Sequence, residues 1–120
     1  MAQICKVPKS PKEASYICGI IDDVLAVELF RALSDPTRTK ILCCLTKYGR
    51  PCSVSEIAAC CNVDLSVVSR HLANLAAVDV LESNKEGRTV FYTVKFKEVI
   101  GRFKNIVKAF ESHKRKGKGS

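Results

Sequence analysis

Seven cysteines are the residues of this 120-residue chain best suited to chemistry, because thiolates bind soft metal ions and react with oxidants. Their positions are Cys5, Cys18, Cys43, Cys44, Cys52, Cys60 and Cys61. The odd count fits complete disulfide pairing badly, and no apolar run followed by a small-residue cleavage site marks a secretory signal. We therefore expect reduced thiols in a cytoplasmic protein, with some of them serving as small buried side chains.

The charge balance favours a polyanionic partner. The chain has 20 Lys and Arg residues against 12 Asp and Glu, a net charge of +8 and a pI near 9.3. Part of this charge belongs to a flexible N-terminal arm predicted over 1–14 and to a basic C-terminal tail predicted over 114–120. The 47% hydrophobic content excludes a disordered chain, and no apolar stretch could cross a bilayer, so one soluble domain is expected over 15–113.

The first two predicted helices differ in their patterns. The first, over 15–33, is apolar on nearly all sides, which is typical of a helix buried from two directions and suggests a partner subunit. Asp35 and Pro36 then predict the start of a second helix, which ends near Gly49. In that helix Cys44 has inward spacing beside Ile41 and Leu45, whereas Cys43 is expected to be the more exposed of the pair.

Two further helices follow in quick succession. Ser53 and Glu56 form a capping box that opens the third helix, in which Cys61 is predicted to face the core and Cys60 to lie to one side. A short break at 62–64 separates it from a fourth helix over 65–77. The inward residues of that helix are Val68, Leu72 and Leu75.

Two strands and a final helix complete the pattern. The strands are predicted over 78–83 and 88–94, around a polar turn at 84–87, and the helix over 95–113. The helix carries one apolar stripe, made of Phe96, Val99, Ile100, Phe103, Ile106, Val107 and Phe110. Because four helices and a hairpin can already fill a core of this size, the stripe favours a dimer interface over a monomer core.

The order helix, helix, break, helix, hairpin is that of a winged helix-turn-helix, so the fold class is mainly α with a small β-hairpin wing and about five helices. In such a unit the helix over 65–77 would enter the major groove of DNA, and the hairpin would reach the backbone or the minor groove. The candidate DNA-binding residues are Ser66, Ser69, Arg70, His71 and Asn74 on the helix and Lys85 and Arg88 on the hairpin. An ordinary amphipathic surface helix is the simpler reading of the helix taken alone.

Several motifs carry a family resemblance over residues 25–110. They include ALSDPTR at 32–38, SVVSRHL at 66–72 and EGRTVFY at 86–92, and with them the chain resembles the ArsR/SmtB family of winged helix-turn-helix repressors. The resemblance implies a homodimer built from the first and last helices, which binds a palindromic double-stranded DNA operator. It also implies that an inducer binds to the protein and releases the operator.

The inducer site departs from two patterns known in that family. The zinc-type site on the last helix is not expected, since that helix has no Asp and only His113, and the arsenic-type motif keeps one cysteine, Cys52. In some relatives a composite site recruits cysteines from the N-terminal region, which here would join Cys5 and Cys18 to Cys52. Three thiolates suit arsenite, antimonite, cadmium, lead or mercury better than zinc.

The adjacent cysteines offer an alternative. Neighbouring side chains on a helix point about 100° apart, so neither Cys43-Cys44 nor Cys60-Cys61 should easily clasp one ion. They could instead serve as redox or reactive-sulfur switches, and Cys43 between Lys40 and Lys47 is expected to react most readily. For Cys44 and Cys61, however, packing in the core is the favoured role.

Two other function classes are weaker. A protein-interaction module without DNA binding would explain the surplus apolar helices but not the DNA-binding pattern. A thiol enzyme would need a base beside its nucleophile, and the chain has only His71 and His113. We therefore predict that the protein is not an enzyme.

Overall fold

A computed structural model describes residues 7–16, 23–25 and 27–114. Two of the predicted inducer ligands, Cys5 and Cys18, lie outside these residues, and so does most of the predicted basic tail. The chain divides into two compact units, one of Met1–Ala26 with Arg102–Ser120 and one of Val27–Gly101. The described part contains six helices and three strands, which confirms the mainly helical class.

Helix α1, Pro11–Tyr16, begins inside the segment predicted as an arm. The Ser10 hydroxyl accepts a hydrogen bond of 3.1 Å from the Glu13 backbone N–H, and Pro11 occupies the first helical position. Both features are helix-start signals, because they suit the unpaired N–H groups of a first turn. The two prolines near this point had suggested an irregular arm, and that prediction is wrong for the residues of α1.

The prediction of one helix over 15–33 is also wrong. Asp23 and Val24 are helical, the chain bends at Leu25, and a separate helix α2 spans Val27–Leu33. The change coincides with the boundary between the two units. Helix α2 is held in the second unit by the burial of Leu29 and Ala32, whereas the preceding residues belong to the first.

Helix α3, Pro36–Tyr48, has the predicted ends. The Asp35 carboxylate accepts hydrogen bonds from the backbone N–H groups of Thr37 and Arg38 at 2.9 and 3.1 Å. Gly49 closes the helix with a φ of +70°, a left-handed conformation that glycine adopts without steric cost. These two caps fix where the helix starts and stops.

Helices α4, Val54–Cys61, and α5, Leu65–Ala77, form the helix-turn-helix. Both bonds of the predicted capping box are present, from the Glu56 N–H to the Ser53 hydroxyl and from the Ser53 N–H to the Glu56 carboxylate. Helix α4 ends where Asn62 turns into the left-handed region. Only three residues therefore separate the end of α4 from α5.

The sheet has three antiparallel strands in the order β1-β3-β2, namely Cys52–Ser53, Thr89–Val94 and Leu81–Glu86. Strand β1 was not predicted, because two residues are too few to show alternation. In it Cys52 pairs with Tyr92 and Ser53 with Phe91. The wing is thus attached to the start of α4.

The hairpin turn is shorter than predicted. Glu86 pairs with Thr89, so the loop holds only Gly87 and Arg88, and the polar residues 84–86 belong to β2. Gly87 has a φ of +64°, which a two-residue hairpin turn requires of its first residue and which glycine readily supplies. The first strand also starts three residues late, because Val78 closes α5 and Asp79 takes a left-handed conformation.

The core lies between α2, α3, α4, α5 and the start of β2. It contains most of the side chains predicted to face inward, with additions from α2 and from Val80 and Leu81, while Cys44 is only half-buried against it. The buried set is Leu29, Ala32, Ile41, Leu45, Ile57, Ala58, Cys61, Val68, Leu72, Leu75, Val80 and Leu81. The last helix, α6, spans Phe96–His113.

Candidate nucleic-acid interface and thiol cluster

Helix α5 has two sharply different faces. Val68, Leu72 and Leu75 are each 0% exposed and hold one face of the helix in the core, as predicted. The helical period of 3.6 residues then places the polar side chains on the opposite side. The exposed candidates are Ser66, Ser69, Arg70 and Asn74. A rigid scaffold thus presents short hydroxyls, an amide and a guanidinium to solvent.

His71 differs from the other α5 candidates because it is only half exposed. Its Nδ1 is buried and has no hydrogen-bond partner within the described residues. The ring also lies close enough to Asp35 for its charge to favour the carboxylate. The pKa of Asp35 is held below its ordinary value mainly by the Arg38 N–H, with smaller contributions from Thr37 and from the His71 and Arg38 charges, while burial opposes the shift. His71 on α5 therefore acts on the cap of α3 through its charge.

The hairpin places the two predicted basic residues at its far end. Lys85 lies in β2 opposite Val90, and Arg88 is the second residue of the loop. Both side chains are exposed. Because α5 packs against β2, the same unit carries the polar face of the helix and the basic hairpin.

Three cysteines from two helices meet in a three-thiol cluster, consisting of Cys44, Cys60 and Cys61. The Sγ of Cys44 on α3 lies 3.9 Å from the Sγ of Cys60 and 3.8 Å from that of Cys61, both on α4. The three differ in access to solvent, because Cys60 is exposed, Cys44 is half-buried and Cys61 is only 1% exposed. Cys43, the neighbour of Cys44, is exposed as predicted.

Helical periodicity within each helix did not predict this cluster. Adjacent cysteines on α4 do diverge, yet both reach one sulfur on α3, because the two helices pack against each other. The available signal was the predicted inward direction of both Cys44 and Cys61. A hydrogen bond of 3.2 Å from the Lys40 ammonium group to the Cys61 carbonyl ties the same two helices together.

The acidity of two thiols is altered here. Hydrogen bonding with Cys44 is the main reason that the pKa of Cys60 is raised above its ordinary value. The pKa of Cys52 is raised first by burial, then by the charge of Glu56 and by charge interactions with the thiols of Cys60 and Cys44. Cys52, half-buried on β1, is therefore close enough to the cluster for its thiol to interact with the charges of Cys60 and Cys44.

The described residues show neither a ready-made metal site nor a membrane-spanning helix. No group of three or more His, Cys, Asp or Glu side chains there is arranged to hold a metal ion. The same residues form no helix with the length and apolar character needed to cross a bilayer. For the composite inducer site, Cys52 is the one member that the structure describes.

The chain is similar to known regulators over its central part. A family model for a helix-turn-helix domain matches residues 33–84. The HTH-type transcriptional regulator KmtR of Mycobacterium tuberculosis is 36% identical over 75 residues, which are 62% of this chain and 56% of that protein. The cadmium resistance transcriptional regulatory protein CadC of Listeria innocua is 35% identical over 66 residues, or 55% of each chain. The chain thus spans about half the length of these two curated relatives.

Solved structures extend the similarity to most of the fold. Reduced HlyU from Vibrio cholerae matches with a TM-score of 0.57 and 30% identity over 74% of this chain and 92% of that one. An ArsR-like transcriptional regulator from Rhodococcus sp. RHA1 matches with a TM-score of 0.62 and 30% identity, covering 71% and 78%. These relatives are transcriptional regulators, which confirms the prediction of a non-enzyme. The chain belongs to the ArsR/SmtB family of winged helix-turn-helix transcriptional regulators.

Proposed function

We propose that this protein represses transcription by binding a palindromic double-stranded DNA operator in the cytoplasm. The observation that carries the proposal is the polar outer face of α5, opposite three fully buried side chains. Arg70 can pair bidentately with guanine or with phosphate, and Ser66 and Ser69 are short enough to approach the backbone closely. His71, half-buried, would orient this face, and Asn74 would extend it. Lys85 and Arg88 would contact the flanking backbone or minor groove.

The apolar stripe of α6 supports a homodimer. Five of its large side chains are 39–57% exposed, namely Phe96, Ile100, Phe103, Val107 and Phe110. Their spacing alternates between four and three residues, which is the period of a helix that packs against another helix. In and just before α2, Leu25, Val27 and Phe30 are also exposed. A second copy of the chain would cover these surfaces and would place two α5 helices on successive half-sites of a palindrome.

The proposed inducer is a soft thiophilic ion, with arsenite or antimonite first and cadmium, lead or mercury next. Its ligands would be the thiolates of Cys52, Cys18 and Cys5. The name of the cadmium resistance regulator CadC supports a soft ion as the inducer class. Cys52 is half-buried and has a raised pKa, so ion binding would displace a proton from it and would strengthen as the pH rises.

A second candidate is thiol-based sensing of oxidants or reactive sulfur by Cys43 and Cys44 or by Cys60 and Cys61. One observation favours it, which is the direct approach of Cys44 to both Cys60 and Cys61. In this candidate the DNA-binding surface is the same and only the releasing chemistry differs.

The DNA-binding proposal can be tested with a random duplex library. Purified protein would select sequences from the library, and fluorescence anisotropy would compare the selected duplex with a shuffled duplex of equal composition. We expect a palindromic preference and an affinity that falls steeply with salt. Arg70→Ala should weaken binding, whereas Lys47→Ala, on the exposed side of α3, should not. Equal affinity for selected and shuffled duplexes would sink the proposal.

The inducer proposal uses the same selected duplex. Arsenite, cadmium and lead would be titrated into complexes of wild-type protein, Cys18→Ser and Cys52→Ser, with Cys43→Ser as the control for an exposed thiol. We expect release from wild type and Cys43→Ser and a strongly reduced response in the other two. An unchanged response in both Cys18→Ser and Cys52→Ser would defeat the composite site.

A further inference from the structure

We propose that Cys44 and Cys60 form a reversible disulfide when the protein reacts with a hydroperoxide, and that this bond shifts the position of α5. The regulatory half of this inference rests on the proposed DNA-binding function, whereas the chemical half does not. The pair comes from different helices and lies 16 residues apart in sequence. It is therefore distinct from either pair of adjacent cysteines.

The first support is distance. The two sulfurs are 3.9 Å apart and already share a hydrogen bond. To form a disulfide they need only move closer, to an S–S distance of about 2.05 Å. Cys61 lies at a similar distance of 3.8 Å from Cys44, but it is buried in the core and has little access to a dissolved oxidant. Cys60 is exposed and is the natural entry point for the reaction.

The chemistry balances with a hydroperoxide as the only co-reactant. The Cys60 thiolate attacks the peroxide, which breaks the O–O bond, forms a sulfenic acid and releases an alkoxide that takes up a proton as an alcohol. The Cys44 sulfur then attacks the sulfenic sulfur, which forms the S–S bond, and its thiol proton leaves with the displaced hydroxide as water. Two thiols lose two electrons in total, and the hydroperoxide gains them.

The position of the pair explains why such a bond would affect DNA binding. Cys60 lies in the last turn of α4, and only the three residues 62–64 separate that helix from α5. Lys40 already bonds the Cys61 carbonyl, so the end of α4 is held against α3 from one side. Drawing Cys60 toward Cys44 would shift this end, and the short turn would pass the shift to α5.

In the chemical test, the protein is first fully reduced and then treated with a hydroperoxide. The remaining free thiols are alkylated, and the protein is digested with trypsin. Peptides 41–47 and 48–70 carry the cysteines concerned, and the Cys43→Ser variant leaves Cys44 as the single sulfur on the first peptide. We expect these two peptides to be linked in Cys43→Ser, with the link lost in Cys44→Ser. In Cys43→Ser the added change Cys60→Ser should also remove the link, whereas Cys61→Ala should retain it. Persistence of the link without Cys44 or Cys60, or its absence from Cys43→Ser, would overturn the disulfide.

The functional test compares the affinity of oxidised and reduced Cys43→Ser for the selected duplex. We expect oxidation to weaken binding about tenfold and dithiothreitol to restore it, with no such change in Cys44→Ser. A disulfide that forms with no effect on affinity would overturn the regulatory half. If the reduced protein prefers no duplex at all, the proposed repressor function fails, while the peptide mapping still decides the disulfide.

Discussion

Helices α5 and α6 carry equally regular apolar stripes, but the stripe of α5 is buried and most of the stripe of α6 is exposed. The stripe of α5 is fully buried at Val68, Leu72 and Leu75, so the face left to solvent is polar. The stripe of α6 remains exposed over most of its length, with Ile100 at 51% and Val107 at 55%. Periodicity alone therefore shows that a helix has an apolar face, and only the fold shows whether that face is already covered.

This difference assigns the two helices to different partners. Burying an apolar side chain away from water is favourable by roughly 25 cal/mol for each Å² of apolar surface. In α5 that gain is realised within the unit and positions a polar surface for DNA. In α6 it is still available, which is why we assign that stripe to a second copy of the chain.

The largest expected effect would break the α5 side of the comparison. Leu72→Ala removes a side chain with no exposure from the core and should lower the free energy of unfolding by about 3 kcal/mol, because it leaves a cavity. Urea unfolding followed by circular dichroism measures it. Leu65→Ala, at a site 55% exposed on the same helix, should cost much less. Equal losses for the two variants would contradict the assignment of faces.

The next effect would break the α6 side. Val107→Glu places a charge on the apolar stripe and should weaken dimerisation by at least about 100-fold, because a carboxylate buried without a partner is strongly unfavourable. Light scattering after size exclusion measures the mass, and circular dichroism should show that the monomer keeps its helices. Asn105→Glu, on the opposite side of α6, is the matched control. Loss of the dimer in both variants, or in neither, would count against the stripe as the interface.

A smaller effect sharpens the role of the polar face. Arg70→Ala should weaken binding to the selected duplex by about 10-fold, in the range of 1–3 kcal/mol for a good base contact. Lys85→Ala should instead weaken all duplexes similarly and reduce the slope of log affinity against log salt by about 1. Anisotropy titrations at several salt concentrations separate the two. If Lys85→Ala instead reduced the preference for the selected duplex over the shuffled one, Lys85 would contact bases, and its assignment to the phosphates would be wrong.

The smallest expected effect concerns pH and the caps that precede α3 and α5. The pKa of Asp35 is lowered in the folded state, so its carboxylate stabilises the fold above the ordinary Asp pKa, and this contribution is lost as the pH falls through the lowered value. Asp35→Asn should therefore be less stable than wild type near pH 7, and the gap should narrow below about pH 4. Asp64, which precedes α5, makes no side-chain capping bond, so Asp64→Asn is the matched control for an aspartate that does not cap its helix. A gap independent of pH would contradict the stabilising charge.

Features decided by neighbouring residues could be predicted from the sequence. The caps at Asp35, Gly49 and Ser53 depend on side chains within three or four positions of the helix ends, and all three are confirmed. The inward faces of α3, α4 and α5 follow from helical periodicity and are confirmed by burial. The winged helix-turn-helix order follows from these elements and from the family motifs.

Features decided by distant residues could not. The bend at Leu25, just before α2, coincides with the boundary between the two units, and β1 exists only because Cys52 and Ser53 pair with β3. The approach of Cys44 to Cys60 depends on how α3 packs against α4. The spacing of residues within either helix does not predict that packing. The composite site with Cys5 and Cys18 stays a prediction.

Strand β1 has a mechanical consequence. Its two residues continue directly into α4, and their backbones are bonded to Tyr92 and Phe91 in the middle of β3, which leads back to the hairpin loop. Any displacement of Cys52 must therefore either break this short ladder or move β3 with it. Binding of the proposed inducer ion to Cys52 should therefore change the hydrogen-exchange rates of the backbone amides near Tyr92. This change could be measured without any DNA present.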